Sequence, residues 1–143
     1  PTRRSSDLVD YQPGLFETVD QNNRRYAVAI RPNGTYVTPE NPARTGEVIR
    51  VFVTGIGQTT PAIAAGQTGS GQRVLADIVV GLNDTGVRLV SATYATNLTG
   101  IYEIAFEIPA ITATGTDRPL AVVVVRNNGQ FVYGNGSTIA ISQ

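Results

Sequence analysis

The chain has 143 residues, enough for one domain that buries roughly two-thirds of its unfolded surface. Its 11 basic and 11 acidic residues cancel, so no bulk field draws it to nucleic acid or to an anionic membrane. It has no cysteine, histidine, lysine or tryptophan, which excludes disulfides, thiol and amine nucleophiles and the usual general base near neutral pH.

No apolar run approaches the about 20 residues that span a bilayer, so no membrane insertion is expected. All basic residues are arginine, which reads as codon usage of a GC-rich genome rather than phosphate clamping. With no methionine anywhere, the sequence reads as a fragment or processed piece whose export signal was lost with the missing N-terminal part.

Pro1 to Leu8, PTRRSSDL, back-translates codon for codon into a common sequencing-library adapter. It is set apart as an artefactual or disordered leader from a metagenomic assembly, leaving one domain over 9–143. Tyr11-Gln12-Pro13-Gly14-Leu15-Phe16 is a turn that delivers two apolar side chains as a lid on the core. Arg25 to Arg31 alternates, with Tyr26, Val28 and Ile30 on one face. Asn33-Gly34 is a strong hairpin signal, returning through Tyr36 to Thr38. Asn41-Pro42 and Thr45-Gly46 are turns ahead of the longest alternating run, Glu47 to Thr54, whose Ile49, Val51 and Val53 mark the core face.

Gln58 to Gln72 reads as a long surface loop. Arg73 to Leu82, the turn Asn83 to Gly86 and the partner Val87 to Tyr94 follow, with Arg88, Val90, Ala92 and Tyr94 sharing a face. After a turn at Asn97 to Gly100, Ile101 to Pro109 points Tyr102, Ile104, Phe106 and Ile108 inward and Glu103 and Glu107 to water. Ala110 to Pro119 reads as a second loop. Leu120 to Val125 is a central strand buried on both faces, hairpinned through Asn127-Asn128-Gly129 to Gln130–Tyr133, and Ser137 to Ser142 is the last strand. The expected fold is all-β, an Ig-like two-sheet antiparallel β-sandwich of about eight strands.

Candidate chemistry is sparse. Glu103 and Glu107 would sit about 13 Å apart on one strand face, too far for a glycosidase pair. Calcium could be sought at Asp20-Gln21-Asn22-Asn23 or Asn83-Asp84-Thr85, yet neither has dedicated loop spacing, and no cofactor or metal is expected. Asn33, Asn83, Asn97 and Asn135 head glycosylation sequons, which matter only in a glycosylating host. Arg24-Arg25 reads as charge that discourages edge pairing. Tyr11, Tyr36 and Tyr133 lie near turns; Tyr36 and Tyr133 are the candidate ligand-binding residues, for which two coplanar exposed tyrosines in one patch would favour sugar and scattered tyrosines a structural spacer.

PGLF at Pro13–Phe16, the Asn33-Gly34 turn, NPARTGEVIRVFVTGIG at Asn41–Gly57 and GIYEIAFEIP at Gly100–Pro109 occur in one order and spacing. Together they resemble the Solibacter-type C-terminal domain of large acidobacterial surface or secreted proteins. The chain departs from that pattern at Thr45, Ile56 and Glu103, where the family has proline, leucine and glutamine. The resemblance implies an extracellular or cell-surface β-sandwich appended to other modules of a parent chain, with no catalytic residues. The expected function is a non-catalytic structural or adhesion-type C-terminal module of a bacterial protein, its partners being those other domains, cell-surface proteins or polysaccharide. The alternative is a carbohydrate-binding accessory domain.

Overall fold

A computed structural model describes residues 11, 13–57, 59–60, 69–126 and 128–143. The adapter-like leader, Gln12, Gln58, most of the first expected loop and Asn127 lie outside the described residues. The strands are β1 (Gly14–Leu15), β2 (Glu17–Val19), β3 (Arg25–Ala27), β4 (Ala29–Ile30), β5 (Ala43–Arg44), β6 (Val48–Thr54), β7 (Thr59–Thr60), β8 (Arg73–Val74), β9 (Asp77–Leu82), β10 (Thr85–Val87), β11 (Leu89–Tyr94), β12 (Tyr102–Glu107), β13 (Gly115–Val125), β14 (Phe131–Tyr133) and β15 (Ser137–Ser142). No described residue is helical, so none of the described elements is a helix long and apolar enough to cross a membrane.

The expected sandwich is present, but with more and shorter strands than eight. The first sheet runs β1-β6-β12-β11-β8-β7, with β4 also on β6; the second runs β10-β9-β13-β15-β5, with β14 on β13. Pairing is antiparallel except between β15 and β5. A small ribbon, β2–β3, lies beside β15, where the Thr138 hydroxyl donates to the Arg25 carbonyl. The core forms where alternation put it. Ile49, Val51 and Val53 of β6 and Ile104, Phe106 and Ile108 on and just after β12 are fully buried, facing Val80, Leu82, Leu120, Val124 and Ile139 of the second sheet.

Several expected strands are redrawn. Arg73 to Leu82 is not one strand: β8 belongs to the first sheet and β9 to the second, with Leu75-Ala76 carrying the chain across. Val87 to Tyr94 splits likewise, β10 pairing with β9 and β11 with β12. A bulge between Leu89 and Ser91 then shifts the alternation, so Val90 is exposed while Leu89 and Ala92 pack on the core and Tyr94 is buried. In β3 and β4 the small residues Ala27 and Ala29 are buried, and Tyr26, Val28 and Ile30 are half-buried. Gly115 to Pro119, expected in a loop, extends β13 along β15. Thr59–Thr60 pairs with β8, and Gly69 is buried against Ala95, so this much of the first expected loop is built into the sheet. The expected lid at Pro13–Phe16 is instead strand β1 on β6, with Leu15 buried.

Two polar connections hold the frame. Glu47 accepts from Arg31 Nε at 3.2 Å and Nη2 at 2.8 Å, and from the Arg44 backbone N–H at 2.9 Å. Asn135, 120 residues along the chain from Leu15, accepts from the Leu15 N–H at 3.0 Å and donates to its carbonyl at 3.1 Å, so its amide acts as an extra strand residue for β1.

Hydrogen bonding from Arg31 holds the Glu47 carboxyl below its ordinary value of 4.5, against an opposing effect of burial. A carboxyl whose folded pKa is depressed stabilises the fold in full above its unfolded value, and this contribution drains as pH falls through the folded value. Resistance of the full chain to urea should therefore fall below about pH 4.5, and Glu47→Gln should be less stable at pH 7 but flatter in acid. Asn135→Ala leaves both Leu15 backbone groups without their partner and should cost about 1–3 kcal/mol. A lowered urea midpoint at constant m-value would show it.

Candidate functional site

The two outer faces of the sandwich differ in chemistry. On the first sheet Arg50 lies 4.0 Å from Glu103, and Arg88 lies 3.3 Å from Glu107. The two glutamates singled out in the sequence are thus halves of separate surface ion pairs, a solvated face with little net energy in it. On the second sheet the outward residues are Val79 and Gly81 of β9, Ala121, Val123 and Val125 of β13, and Phe131 and Tyr133 of β14. Their inward neighbours Ile78, Val80, Leu82, Leu120, Val122 and Val124 fill the core.

Strand register arranges these outward residues in rows. Val79, Val123 and Tyr133 stand side by side across β9, β13 and β14. The adjacent row is Gly86, Gly81 and Ala121 across β10, β9 and β13. The small row is the floor of a trough of about 500 Å³, continued by Gly136. The valines and Tyr133, with Phe131 beside it, form one wall; Asp84, Thr85, Pro119 and Ser137 line the remainder. Phe131 is 54% exposed and Tyr133 67%, their ring centroids 6.2 Å apart and nearly perpendicular. These two rings leave aromatic surface in water on a strand face, beside the polar groups of Asp84 and Thr85. The Ser137 hydroxyl is buried and donates to Glu17 at 2.7 Å, which fixes the end of the trough where β15 begins.

Tyr36 stands elsewhere. It is 61% exposed and lines a smaller crevice of about 360 Å³ with Tyr26, Val28 and Thr38, sharing no residue with the trough. The structure therefore does not bring Tyr36 and Tyr133 into one patch; the companion of Tyr133 is Phe131. Tyr11 is half-buried, with the Arg126 guanidinium 5.6 Å from its ring centre. Tyr94 and Tyr102 lie 5.1 Å apart with their rings tilted by 42°, Tyr94 in the core and Tyr102 half-buried with its hydroxyl donated to the Gly57 carbonyl. A third depression, about 540 Å³, follows the seam where β8 passes to β9 and carries no aromatic ring.

The other singled-out residues serve the backbone. Burial would raise the Asp20 pKa, but hydrogen bonds from Arg24 and Asn22 outweigh it and hold the carboxyl below its usual range. Both its oxygens are engaged, Oδ1 by the Asn22 and Arg24 N–H groups and Oδ2 by Arg24 Nε. Arg24 reaches on to Glu40 at 2.8 Å, so it braces two turns, while Arg25 lies near Glu17 in the ribbon. Asn83 and Asp84 are the two left-handed residues of the β9–β10 hairpin turn, with the Asn83 amide donated to Thr112 and Ala113. Among the described residues no group of three acidic side chains gathers as metal ligands. Asn33 and Asn128 play matching parts, each accepting the N–H two residues on in a hairpin whose glycine, Gly34 or Gly129, has positive φ.

Phe131 and the glycine floor were missed at the level of sequence. The signals were Phe131-x-Tyr133, two aromatics at strand spacing, and Gly81 inside an apolar strand, where glycine often marks a close approach. No protein-family model, curated protein or solved structure matches the chain.

Exposed side chains add little to folding, so Phe131→Ala and Tyr133→Ala should each change unfolding free energy by no more than about 0.5–1 kcal/mol. Phe106→Ala, in the core, should cost about 3–5 kcal/mol. Urea denaturation of the three variants in parallel separates aromatics that hold the fold from aromatics that do not.

Proposed function

We propose that this domain is a non-catalytic, extracellular structural and adhesion-type module at the C-terminus of a larger bacterial protein, and that its contact surface is the outer face of the second sheet. The observation that carries the reading is the trough with Phe131 and Tyr133 exposed along one wall, opposite a first sheet whose outer face is ion-paired and solvated. The motif series from Pro13 to Pro109, similar to the Solibacter-type domain, supports the extracellular and C-terminal placement. The absence of histidine, cysteine and lysine from the whole chain supports a non-catalytic role. Partners of this surface would be polysaccharide or cell-surface protein, and neighbouring domains of the parent chain would hold the module in place.

A carbohydrate-binding accessory domain is the second reading, favoured by Tyr133 in the trough rather than by the pair Tyr36 and Tyr133. The fluorescently labelled chain should be retained on insoluble bacterial cell-wall material. Tyr133→Ala should lower that retention about tenfold, a loss of about 1.4 kcal/mol. Retention that is equal for the variant and the parent would remove the second sheet's outer face as the contact surface.

A further inference from the structure

We propose that the trough binds an uncharged polysaccharide, laid across β10, β9, β13 and β14 with a sugar ring against Tyr133. The inference rests on the assignment of this face as the contact surface and names its occupant.

Charge gives the first argument. Of the trough's lining residues only Asp84 carries a charge at neutral pH, and no arginine lines it. An anionic polymer would meet a carboxylate and find no cation to offset it. A neutral chain of hydroxyl groups meets the acceptors of Asp84 and the hydroxyls of Thr85 and Tyr133 at the edges, and apolar surface between them. That mixture matches a sugar ring, with C–H groups on its faces and hydroxyls around its rim.

The floor gives the second. Gly81, Gly86 and Gly136 are absent from the residues with positive φ, so their backbone does not call for glycine. A Cβ at Gly81 would meet nothing within 4 Å; at Gly86 it would lie 3.8 Å from Val79 Cγ1, and at Gly136 3.9 Å from the Leu120 carbonyl. Side chains would fit there, yet glycine within a strand weakens it. What the missing side chains do is leave the trough open. Its floor crosses three strands, two inter-strand spacings of about 4.8 Å or about 10 Å in all, and Gly136 continues it past β13. That length suits at least two sugar units in line rather than one. The rings of Phe131 and Tyr133 stand nearly perpendicular and in contact, which limits how the Tyr133 ring can turn.

The test is affinity electrophoresis of the full chain through gels containing neutral polymers (hydroxyethyl cellulose, galactomannan, soluble starch) or anionic ones (carboxymethyl cellulose, polygalacturonate). At least one neutral polymer should retard the chain, independently of salt, and the anionic ones should not. Gly81→Val should fill the floor and weaken retardation at least about tenfold, with a melting temperature unchanged or raised. Tyr133→Ala should do the same without touching the floor, and Tyr36→Ala should have no effect. Asp84→Asn, which suits its left-handed turn position, removes the repelling carboxylate and should admit carboxymethyl cellulose. Equal retardation by anionic polymers, or neutral binding that survives both Gly81→Val and Tyr133→Ala, would overturn the proposal. Cell-wall retention that depends on Tyr133, with no neutral polymer bound, would overturn the polysaccharide while leaving the contact surface standing.

Discussion

The pairing of Arg31 with Glu47 is the constraint around which the sandwich is arranged. Both side chains are largely sequestered, and the guanidinium meets the carboxylate through two parallel hydrogen bonds, a geometry lysine could not supply. Glu47 sits at the turn where the chain leaves β5 in the second sheet and enters β6 at the centre of the first. The same turn is closed by the Arg44 N–H on the Glu47 carboxylate and by the Gly46 N–H on the Ile108 carbonyl. Arg31 comes from the end of β4, and its remaining nitrogen reaches Asn41, whose amide ties down Thr35 and Tyr36. One polar cluster therefore fixes the first hairpin, the crossing between sheets and the start of the longest buried strand of the first sheet. Removing either charge would leave the other poorly hydrated, a cost larger than the pair's own net contribution.

With that corner fixed, register decides what each outer face displays. A slip of one residue along β9 or β13 would turn the valines and the glycine floor inward and expose Val80, Leu82, Val122 and Val124. The buried faces thus enforce the trough without any contact made for its sake. The first sheet's outer face, under the same rule, shows Arg50, Glu103 and Glu107, which keep it solvated and discourage non-specific association. Two faces built by one alternation carry different chemistry, and the strongly exposed ring pair Phe131 and Tyr133 stands on the second.

Much of this was legible in the chain itself. Strict alternation located the cores of β6 and β12, because a half-buried strand leaves a period-two trace. Asn-Gly turns located both hairpins, at Gly34 and Gly129. The crossings were not legible. Leu75-Ala76 and Arg88 carry no turn residue, and a strand that changes sheets reads like one that continues. The bulge at Val90 hid for the same reason: one inserted residue reverses the faces without altering composition. Ala27 and Ala29 were hidden because small residues buried where a ribbon packs closely give no hydrophobic peak. The candidate site was half legible. Tyr133 was recognisable as an exposed ring near a turn, but its pairing with Phe131, and the distance between it and Tyr36, depend on which strands β13 holds on each edge.

That edge arrangement explains why the trough lies on strands and not on loops. β13 is 11 residues long, and its partners on one edge, β14 and β15, cover it in succession. Where β14 ends at Tyr133 and β15 begins at Ser137, residues 134–136 turn away, and the edge of the sheet is notched beside Ala121. The notch meets the glycine row at right angles to the strands, so a groove results from the mismatch in strand lengths. Asn135 sits in that turn and is held to β1 by two hydrogen bonds, which keeps the notch from closing by drift of the connection. A contact surface on paired strands with a tethered end loses little conformational freedom when it is occupied. The proposed contact surface therefore asks for fewer contacts than one on mobile loops would need.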